Sequence, residues 1–394
     1  MSILLFAVLV LGVVNSPLVD SAHGLAVPNP LSSQTLFARL LQPFAAEAQA
    51  RRLQRARTDA DYAHRVDAAL ATGRVNFLLF GYGETFEPPF TTAIIGSYTI
   101  VSVDTQTGQA DLISLTHDVR APEIERALAQ RGQQVHAVKI DQAYSVGGFD
   151  LMRRTVEDAT GLPIDFQISF KDVVIKDLVD SVFEQVPVEV PADFDTAPFY
   201  LDGQKYDTAH MTQGVQQMNG TQVIQFMKSL EAGDSQAVQR NARKELVLRG
   251  LLAAATDHCS DRGFWLKMSG LLVRQQWSGD VAYDFDPAAL LVDNIGQLGS
   301  GFGDLLRYKT CTVGAPQIAR TQYIVDPESG GDGVRWASSD ATVNPIARQD
   351  IDSGVYQAGG LGVAVPLNGD PYGDLVTGYW GSVRALVKQT LSEK

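Results

Sequence analysis

The stretch that decides the fold is Val75–Gly83 (VNFLLFGYG), which is followed by Ser97–Asp104 (SYTIVSVD) and Ala110–Leu115 (ADLISL). The first segment is an apolar run that ends in glycines, which is typical of a buried strand. The other two segments flank the turn Thr105–Gly108 (TQTG), and we predict that they form a hairpin. Together these segments predict neighbouring strands of one sheet.

Helical and strand-like segments alternate after this hairpin. The predicted helices lie at 121–132, 147–161 and 171–183, and the predicted strands lie at 135–140, 164–170 and 186–190. Such alternation is typical of an α/β layered domain rather than a β-sandwich or a helix bundle. We therefore predict a single α/β layered domain with a central mixed β-sheet flanked by helices.

The regions on either side of this core have different patterns. Residues 26–73 form a polar helical lead-in or stalk, residues 74–255 form the core, and residues 256–394 form a C-terminal part of helices and loops packed on it. Within the core, a long helical region is predicted from residue 221 to about residue 255. An amphipathic helix is predicted from Tyr372 to the end of the chain.

Composition excludes several classes of protein. The 394 residues include 32 basic and 45 acidic side chains, a net charge of −13, and 45% hydrophobic residues exclude wholesale disorder. The acidic surplus argues against a nucleic-acid partner, because duplex binding needs a basic surface. Two cysteines, Cys259 and Cys311, are too few for a four-cysteine zinc site. A disulfide between them and two buried free thiols both remain open.

The amino terminus predicts the compartment. Ile3–Val14 is an uninterrupted run of twelve apolar residues, which as a helix rises about 18 Å against a bilayer core of about 30 Å. This length favours a signal peptide within residues 1–25, and a signal-anchor or a buried N-terminal helix are the alternatives. With a signal peptide or anchor, the rest of the chain is extracytoplasmic and either membrane-anchored or secreted.

Six charged or titratable residues on two predicted segments could together hold an oxyanion. They are His117, Asp118, Arg120, Lys228, Arg240 and Arg243. The first three follow a predicted strand, and the two last arginines lie three positions apart on one helical face. Cations grouped in an acidic protein favour a phosphate or pyrophosphate ligand. A solvated helix surface, paired with neighbouring acidic residues, explains the same pattern.

The order of several motifs resembles the LytR-CpsA-Psr family of bacterial envelope phosphotransferases. The motifs are VNFLLFGYG, YTIVSVDTQTGQADLISLTHD, KIDQAYSVGG, GLPIDF, KDLVD, and NGTQVIQFMK followed by a helix with R-x-x-R. The resemblance covers Val75 to Ala255. It implies attachment of a polyprenyl-pyrophosphate-linked glycopolymer to the cell wall, with the lipid tail in an apolar tunnel.

The resemblance also implies roles for the candidate residues. Asp118 would act as a base or as a ligand of Mg²⁺, and Arg240 and Arg243 would stabilise the reacting phosphoryl group. The implied phosphate-binding residues are His117, Arg120, Lys228, Arg240 and Arg243. The implied partners are a polyprenyl phosphate or pyrophosphate carrier, the glycopolymer and peptidoglycan, and the implied location is the bacterial envelope.

Several positions depart from the family pattern. Ile95-Gly96-Ser97 stands where the family usually has Arg-Ser-Asp-Thr, so that Gly96 takes the place of a metal-holding aspartate. Thr116-His117-Asp118 replaces Pro-Arg-Asp, and Lys228 and Leu230 replace paired arginines. Neither lysine nor imidazole reproduces a bidentate guanidinium.

These departures leave three hypotheses open. The first is an active glycopolymer transferase, and the second is a family member that binds a polyprenyl-phosphate lipid or wall polymer without turnover. The third is a structural envelope protein whose own side chains fill the tunnel.

Overall fold

The structure of this chain is a computed structural model in which helices cover both faces of one sheet. It describes residues 33–83, 94–107, 109–115, 119–133, 138–201, 204–229, 236–258, 262–286, 318–325, 332–336, 364–366 and 380–392. The described helices are α1 (Ser33–Thr58), α2 (Tyr62–Arg65), α3 (Pro122–Ala129), α4 (Ala143–Thr160), α5 (Asp172–Leu178), α6 (Gly220–Lys228), α7 (Gln236–His258), α8 (Arg262–Ser278) and α9 (Gly381–Ser392). Short 3-10 turns lie at Ala68–Ala71 and Ile140–Gln142, and a π-helical turn, Val179–Phe183, continues α5.

The described strands form one large sheet and three two-stranded ribbons. They are β1 (Arg74–Gly83), β2 (Ile94–Asp104), β3 (Ala110–Leu115), β4 (Phe166–Lys171), β5 (Val186–Val190), β6 (Phe194–Asp195), β7 (Phe199–Leu201), β8 (Gln204–Tyr206), β9 (His210–Met211), β10 (Gly214–Met218), β11 (Val281–Tyr283), β12 (Ile318–Val325), β13 (Asp332–Trp336) and β14 (Ala364–Pro366). The large sheet has the strand order β11-β4-β1-β2-β3-β12-β13-β14.

The large sheet is mixed. β1 pairs antiparallel with β2 and parallel with β4, and β3 pairs parallel with β12. β2 and β3 form the predicted hairpin, in which Tyr98 lies opposite Leu115 and Val103 lies opposite Ala110. The α/β class, with a central mixed sheet flanked by helices, is therefore confirmed.

Both faces of the sheet are buried, which explains why its first strand is almost entirely apolar. Successive side chains of a strand point to opposite faces. In β1, Val75 and Phe77 belong to a first core cluster that includes residues of α1 and of α5 to α8. Leu78 and Phe80 belong to a second cluster, on the opposite face, that includes residues of α3, α4 and α9. Each of these side chains is completely buried, and burial of a large apolar side chain contributes about 1.5–3 kcal/mol.

A buried ionic network joins α1 to the amino ends of β1 and β4. Asp165 is 1% exposed, and it accepts hydrogen bonds from the Arg52 side chain and from the Asn76 backbone N–H at 2.7 and 2.9 Å. Arg55 pairs with Glu157 at 2.5 Å. Burial raises the pKa of Glu157 above its ordinary value, although Arg55 opposes this effect. Because unpaired buried charges cost several kcal/mol, α1 must be docked for this edge to be satisfied.

The predicted helix 147–161 is confirmed, and glycine marks both of its ends. α4 is kinked at Gly147 and Gly148, where Gly148 has a φ of 60°. Gly161 follows the last turn with a φ of 74° and donates its N–H to the Glu157 carbonyl. This left-handed conformation closes a helix with little strain only when the residue is glycine.

The predicted strand 135–140 is not formed in its described part. Lys139 makes an isolated antiparallel bridge with Arg120, and a 3-10 turn begins at Ile140. The Ala121 N–H donates to the Val138 carbonyl and the Ile140 N–H to the Val119 carbonyl. The chain then turns into α4, so that the pairing ends after these two hydrogen bonds.

The predicted long helical region from 221 to about 255 consists of two helices, α6 and α7. α6 ends at Lys228 because Ser229 adopts a ψ of 135°, which lies outside the helical range. The predicted strand at 186–190 is formed, but it pairs with β10 in a ribbon outside the large sheet. The predicted strand residues TQYIV belong to β12.

The predicted C-terminal helix is present as α9, which begins at Gly381. The preceding residues 372–379 lie outside the described residues, as do residues 1–32, Cys259 and Cys311.

Gly250 marks the point where α7 crosses β5. A Cβ at this position would lie 2.1 Å from the carbonyl oxygen of Pro187. A contact that short requires the backbone of one element to move.

We expect Gly250→Ala to lower the free energy of unfolding by about 1–3 kcal/mol, because overpacking against backbone outweighs the gain in helix propensity. Gly270→Ala on α8 is the matched control, since a Cβ there meets nothing within 4 Å, and it should stabilise by about 0.5–1 kcal/mol. Urea unfolding of the two variants measures the difference. Equal effects would contradict the close approach of α7 to β5.

Candidate functional site

The carboxyl ends of β1, β3 and β4 lie along one edge of the sheet, which we call the carboxyl edge. Tyr82 near the end of β1 pairs with Lys171 at the end of β4, and Leu115 at the end of β3 lies in the row of Tyr98 and Phe80. Ligands of open α/β sheets bind outside the carboxyl ends of the strands. The ionic network of α1 lies at the opposite edge.

Lys228 reaches the carboxyl edge from the last turn of α6. Its Nζ lies 2.8 Å from Oδ2 of Asp172, the residue that follows β4 and begins α5. The start of α6 is fixed by a capping box between Asn219 and Gln222. Gly220 lets α6 approach α5 closely, because a Cβ there would lie 2.4 Å from a carbonyl oxygen of α5. The packing of α6 on α5 therefore sets the position of Lys228.

Arg243 reaches the same place from α7. It is 5% exposed, and its Nη2 donates to the carbonyl oxygen of Ser229 at 2.5 Å. Its guanidinium carbon lies 5.2 Å from the ring centroid of Phe194, a contact that favours arginine over lysine. The Ser229 hydroxyl accepts a hydrogen bond from the Ala197 N–H at 3.0 Å. Arg243 is thus held against the residue that directly follows Lys228.

A second ion pair lies at the end of β4. Lys171 pairs with Asp280, which also accepts a hydrogen bond from the Ser278 hydroxyl. Burial opposes ionisation of Asp280, but the hydrogen bonds from Lys171 and Ser278 lower its pKa below the ordinary value. Lys171 and Lys228 are therefore both oriented by carboxylates.

Arg120 lies beyond the end of β3 in a separate ion pair. It is 4% exposed, and its Nε and Nη2 donate to the two carboxylate oxygens of Glu125 on α3 at 2.8 and 2.7 Å. Oε1 of Glu125 also accepts the Val138 N–H at 3.2 Å. Glu125 therefore joins the segment after β3 to the segment that leads into α4.

Lys139 and Asp141 are buried charged residues that the sequence analysis did not single out. They are 8% and 7% exposed, and the backbone of Lys139 pairs with that of Arg120. They begin the motif KIDQAYSVGG, which carried the resemblance without being assigned a role. The signal that could have found them is the placement of two opposite charges around Ile140, since charged side chains are rarely buried without partners.

Of the six predicted site residues, Arg243 lies against the backbone of Ser229, the residue after Lys228, whose own side chain pairs with Asp172. Arg120 is placed in its pair with Glu125. His117 and Asp118 lie outside the described residues, and so does the side chain of Arg240, whose backbone lies in α7. Their predicted roles stay predictions.

A metal site was also expected from the resemblance. Within the part of the chain that the structure describes, no three His, Cys, Asp or Glu side chains are grouped so as to hold a metal ion. Asp118, the implied ligand of Mg²⁺, lies outside the described residues, so the metal site stays a prediction. In the same part of the chain, no helix has both the length and the apolar character needed to cross a membrane.

Comparison with known proteins shows the family of the chain. The model of the LytR_cpsA_psr family matches residues 42–260, which is more than half of the sequence. The chain belongs to this family. The match begins within α1, which agrees with the docking of that helix on the sheet.

Among curated proteins, the chain is similar to two teichoic acid transferases. It is 26% identical over 156 residues to the polyisoprenyl-teichoic acid–peptidoglycan teichoic acid transferase TagV of Bacillus subtilis, a segment that covers 40% of this chain and 37% of TagV. It is 28% identical over 126 residues to TagU of Bacillus anthracis, covering 32% of this chain and 38% of TagU. The matched segments thus span less than two fifths of these relatives.

Solved structures of similar proteins cover more of the chain. A crystal structure of protein gbs0355 from Streptococcus agalactiae has 16% identity and a TM-score of 0.49, covering 83% of this chain and 91% of that protein. The crystal structure of B. subtilis TagV has 18% identity and a TM-score of 0.46, covering 82% and 98%.

We expect Arg120→Ala to lower the free energy of unfolding by about 3 kcal/mol, because Glu125 would be left buried without its main partner. Arg126→Ala, on the helix that carries Glu125, is the matched control. The Arg126 side chain is 59% exposed, so this variant should lower the free energy of unfolding by less than about 1 kcal/mol. Thermal and urea unfolding measure both variants. A loss for Arg120→Ala no larger than that of the control would contradict the buried pair.

Proposed function

We propose that the protein is an extracytoplasmic phosphotransferase that attaches a polyprenyl-pyrophosphate-linked glycopolymer to peptidoglycan. The observation that carries the proposal is that Lys228 pairs with Asp172 at the carboxyl edge while Arg243 is held against Ser229, the next residue. Membership of the LytR_cpsA_psr family and the similarity to TagV and TagU support it. A membrane-anchored or secreted location in the bacterial envelope is part of the proposal.

The positive charges of Lys228 and Arg243 suit a diphosphate ligand. Lys228 and Arg243 come from different helices, and each is held by hydrogen bonds before a ligand arrives. Cations that are already oriented need little reorganisation to stabilise charge on phosphoryl oxygens. Arg243 adds a planar fork of donors that matches two phosphate oxygens. We assign phosphate binding to these two residues, and also to His117, Arg120 and Arg240.

The proposed transfer is a substitution at phosphorus. A hydroxyl oxygen of the wall acceptor forms a bond to the phosphorus that carries the glycopolymer. The bond from that phosphorus to the bridging oxygen breaks, and polyprenyl phosphate leaves with the electron pair. Asp118 accepts the proton of the attacking hydroxyl, while Arg240 and Arg243 stabilise charge on the phosphoryl oxygens. In its alternative role as a metal ligand, Asp118 would hold Mg²⁺, which would neutralise charge on the phosphoryl oxygens.

The lipid carrier supplies binding energy apart from the chemistry. The proposal places its tail in the layer between the sheet and helices α5 to α8, where the surrounding side chains are apolar. Each CH₂ group removed from water there contributes about 0.8 kcal/mol. A short buried stretch of the tail therefore suffices to hold the carrier while the acceptor hydroxyl attacks.

A second candidate function is binding of the polyprenyl-phosphate lipid or wall polymer without turnover. It is favoured by Gly96, which stands in β2 where the family usually carries a metal-holding aspartate. Lys228, at the position of a family arginine, preserves charge for binding but lacks the fork geometry.

We expect the purified protein to release polyprenyl phosphate from a polyprenyl-pyrophosphate-linked glycopolymer when peptidoglycan and Mg²⁺ are present. Asp118→Ala should reduce this rate by about 10²-fold or more, because a positioned base contributes on the order of 10²–10⁴-fold. Asp150→Ala, at a side chain that is 82% exposed, is the control and should keep the rate. The same assay with EDTA added tests whether the release depends on Mg²⁺.

The binding of the lipid separates the two candidate functions. If the wild type and Asp118→Ala bind the lipid equally and neither turns it over, binding without catalysis is the better account. If neither protein binds the lipid, both candidate functions are wrong.

We expect Arg243→Lys to weaken binding of the polyprenyl-pyrophosphate lipid by about tenfold, because it keeps the charge but loses a bidentate contact. Arg249→Lys is the control on the same helix, since that side chain is 53% exposed and pairs with Glu245. Isothermal titration with both variants measures the difference. Unchanged affinity for Arg243→Lys would remove this residue from the proposed phosphate site.

A further inference from the structure

A buried hydrogen bond joins the C-terminal helix to the segment that carries Arg120. Trp380, which directly precedes α9, is 5% exposed, and Glu123 in the first turn of α3 is 8% exposed. The indole N–H of Trp380 donates to Oε1 of Glu123 at 3.1 Å. Both α9 and Trp380 lie outside residues 42–260, so this contact is an addition to the part that the family model matches.

Apolar packing makes the contact part of the second core cluster. Trp380, Val383 and Val387 are buried in the same cluster as Ile124 and Leu128 of α3. α9 thereby covers the second face of the sheet next to α3 and α4. Movement of α9 away from this face would expose apolar surface of the cluster to water and break the hydrogen bond from Trp380 to Glu123, so docking of α9 stabilises the first turn of α3.

The first turn of α3 connects this contact to the candidate site. Glu123 and Glu125 lie two positions apart in that turn, and Glu125 holds both Arg120 and the Val138 N–H. A rigid turn anchored at Glu123 therefore fixes Glu125, and Glu125 fixes the guanidinium of Arg120.

We propose that Glu123 is a positioning residue, which through Trp380 couples the docking of α9 to the placement of Arg120 beyond β3. The value of this placement for phosphate binding rests on the proposed function. The coupling between α9 and Arg120 does not depend on it.

The charges around Glu123 make the coupling sensitive to pH. Arg126 of its own helix lies 3.6 Å from Oε1, and Asp158 of α4 and Arg384 of α9 interact with it electrostatically. Oε2 is buried and has no hydrogen-bond partner among the described residues. Burial, and then the charge of Asp158, raise the pKa of Glu123 to about 7 from an ordinary value of 4.5.

The sign of the pH dependence follows from linkage. In the docked state Glu123 keeps its proton up to about pH 7, whereas a solvated carboxyl loses it near 4.5. Docking is therefore strongest below pH 4.5, weakens as the pH rises through this window, and is constant above about 7. Each pH unit inside the window changes the equilibrium between docked and undocked α9 by about tenfold.

The test is amide hydrogen exchange of the full chain between pH 5 and 8, corrected for the intrinsic exchange rate. We expect the opening constant of α9 to rise about tenfold per pH unit up to about pH 7 and then level off. Peptides covering residues 119–125 should follow the same curve. Glu123→Gln should remove the slope from both segments, because the amide does not titrate in this range.

Two further variants keep the test decisive. Lys388→Gln removes an exposed α9 contact, in which Lys388 lies 3.6 Å from Asp67, and it should leave the slope intact. If Glu123→Gln fails to fold, Trp380→Phe keeps an aromatic ring but removes the donor. That variant should raise the opening constant of α9 and of residues 119–125 by about fivefold above pH 7, where the lost N–H would bond an ionised carboxylate, and by less at pH 5.

A slope that is absent in the wild type, or one confined to α9 with residues 119–125 unaffected, would overturn the proposal. The affinity for inorganic pyrophosphate, measured over the same pH range, reads out the placement of Arg120. It should fall as α9 opens, and this fall should be lost in Glu123→Gln. Failure of lipid release or binding with the exchange pattern intact would count against the proposed function alone.

Discussion

Burial of both faces of the sheet is the constraint on which the rest of this structure depends. A strand covered on two sides has no solvent for its polar atoms, so each polar side chain near the middle of the sheet needs a partner inside the protein. The Asn76 side chain in β1 meets this need by donating to the carbonyl of Pro163 and accepting from the Ser102 hydroxyl, and its backbone N–H donates to Asp165. Asp165 in turn requires Arg52 of α1. The docking of the lead-in helix is therefore a consequence of the buried sheet.

The same constraint separates the two edges of the sheet by chemistry. At the amino edge, buried carboxylates are matched by arginines of α1, and this arrangement serves stability. At the carboxyl edge the strands end, helices α5 to α7 meet, Lys228 pairs with Asp172, and Arg243 bonds the backbone of Ser229. This is the edge at which we propose that an anionic ligand binds.

The candidate site was only partly predictable from the sequence. Helical spacing placed Arg240 and Arg243 on one face of a helix. Spacing could not show that Arg243 lies against the residue after Lys228, because this contact depends on the end of α6 at Ser229. The burial of Lys139 was missed for a related reason. Its neighbours Val138 and Ile140 make two backbone hydrogen bonds to the segment after β3, and a predicted strand does not indicate which segment it pairs with.

By itself, the sequence determined the hairpin of β2 and β3, several of the core helices and strands, the mixed α/β class and the motifs of the family. These properties are local, since the periodicity of apolar residues and the placement of glycines act over a few positions. Only the tertiary structure decided which charges are neighbours, such as Arg120 with Glu125 and Glu123 with Trp380. The last pair joins positions 257 residues apart. Contacts of this kind follow from how elements pack, and no local pattern encodes the distance between two elements.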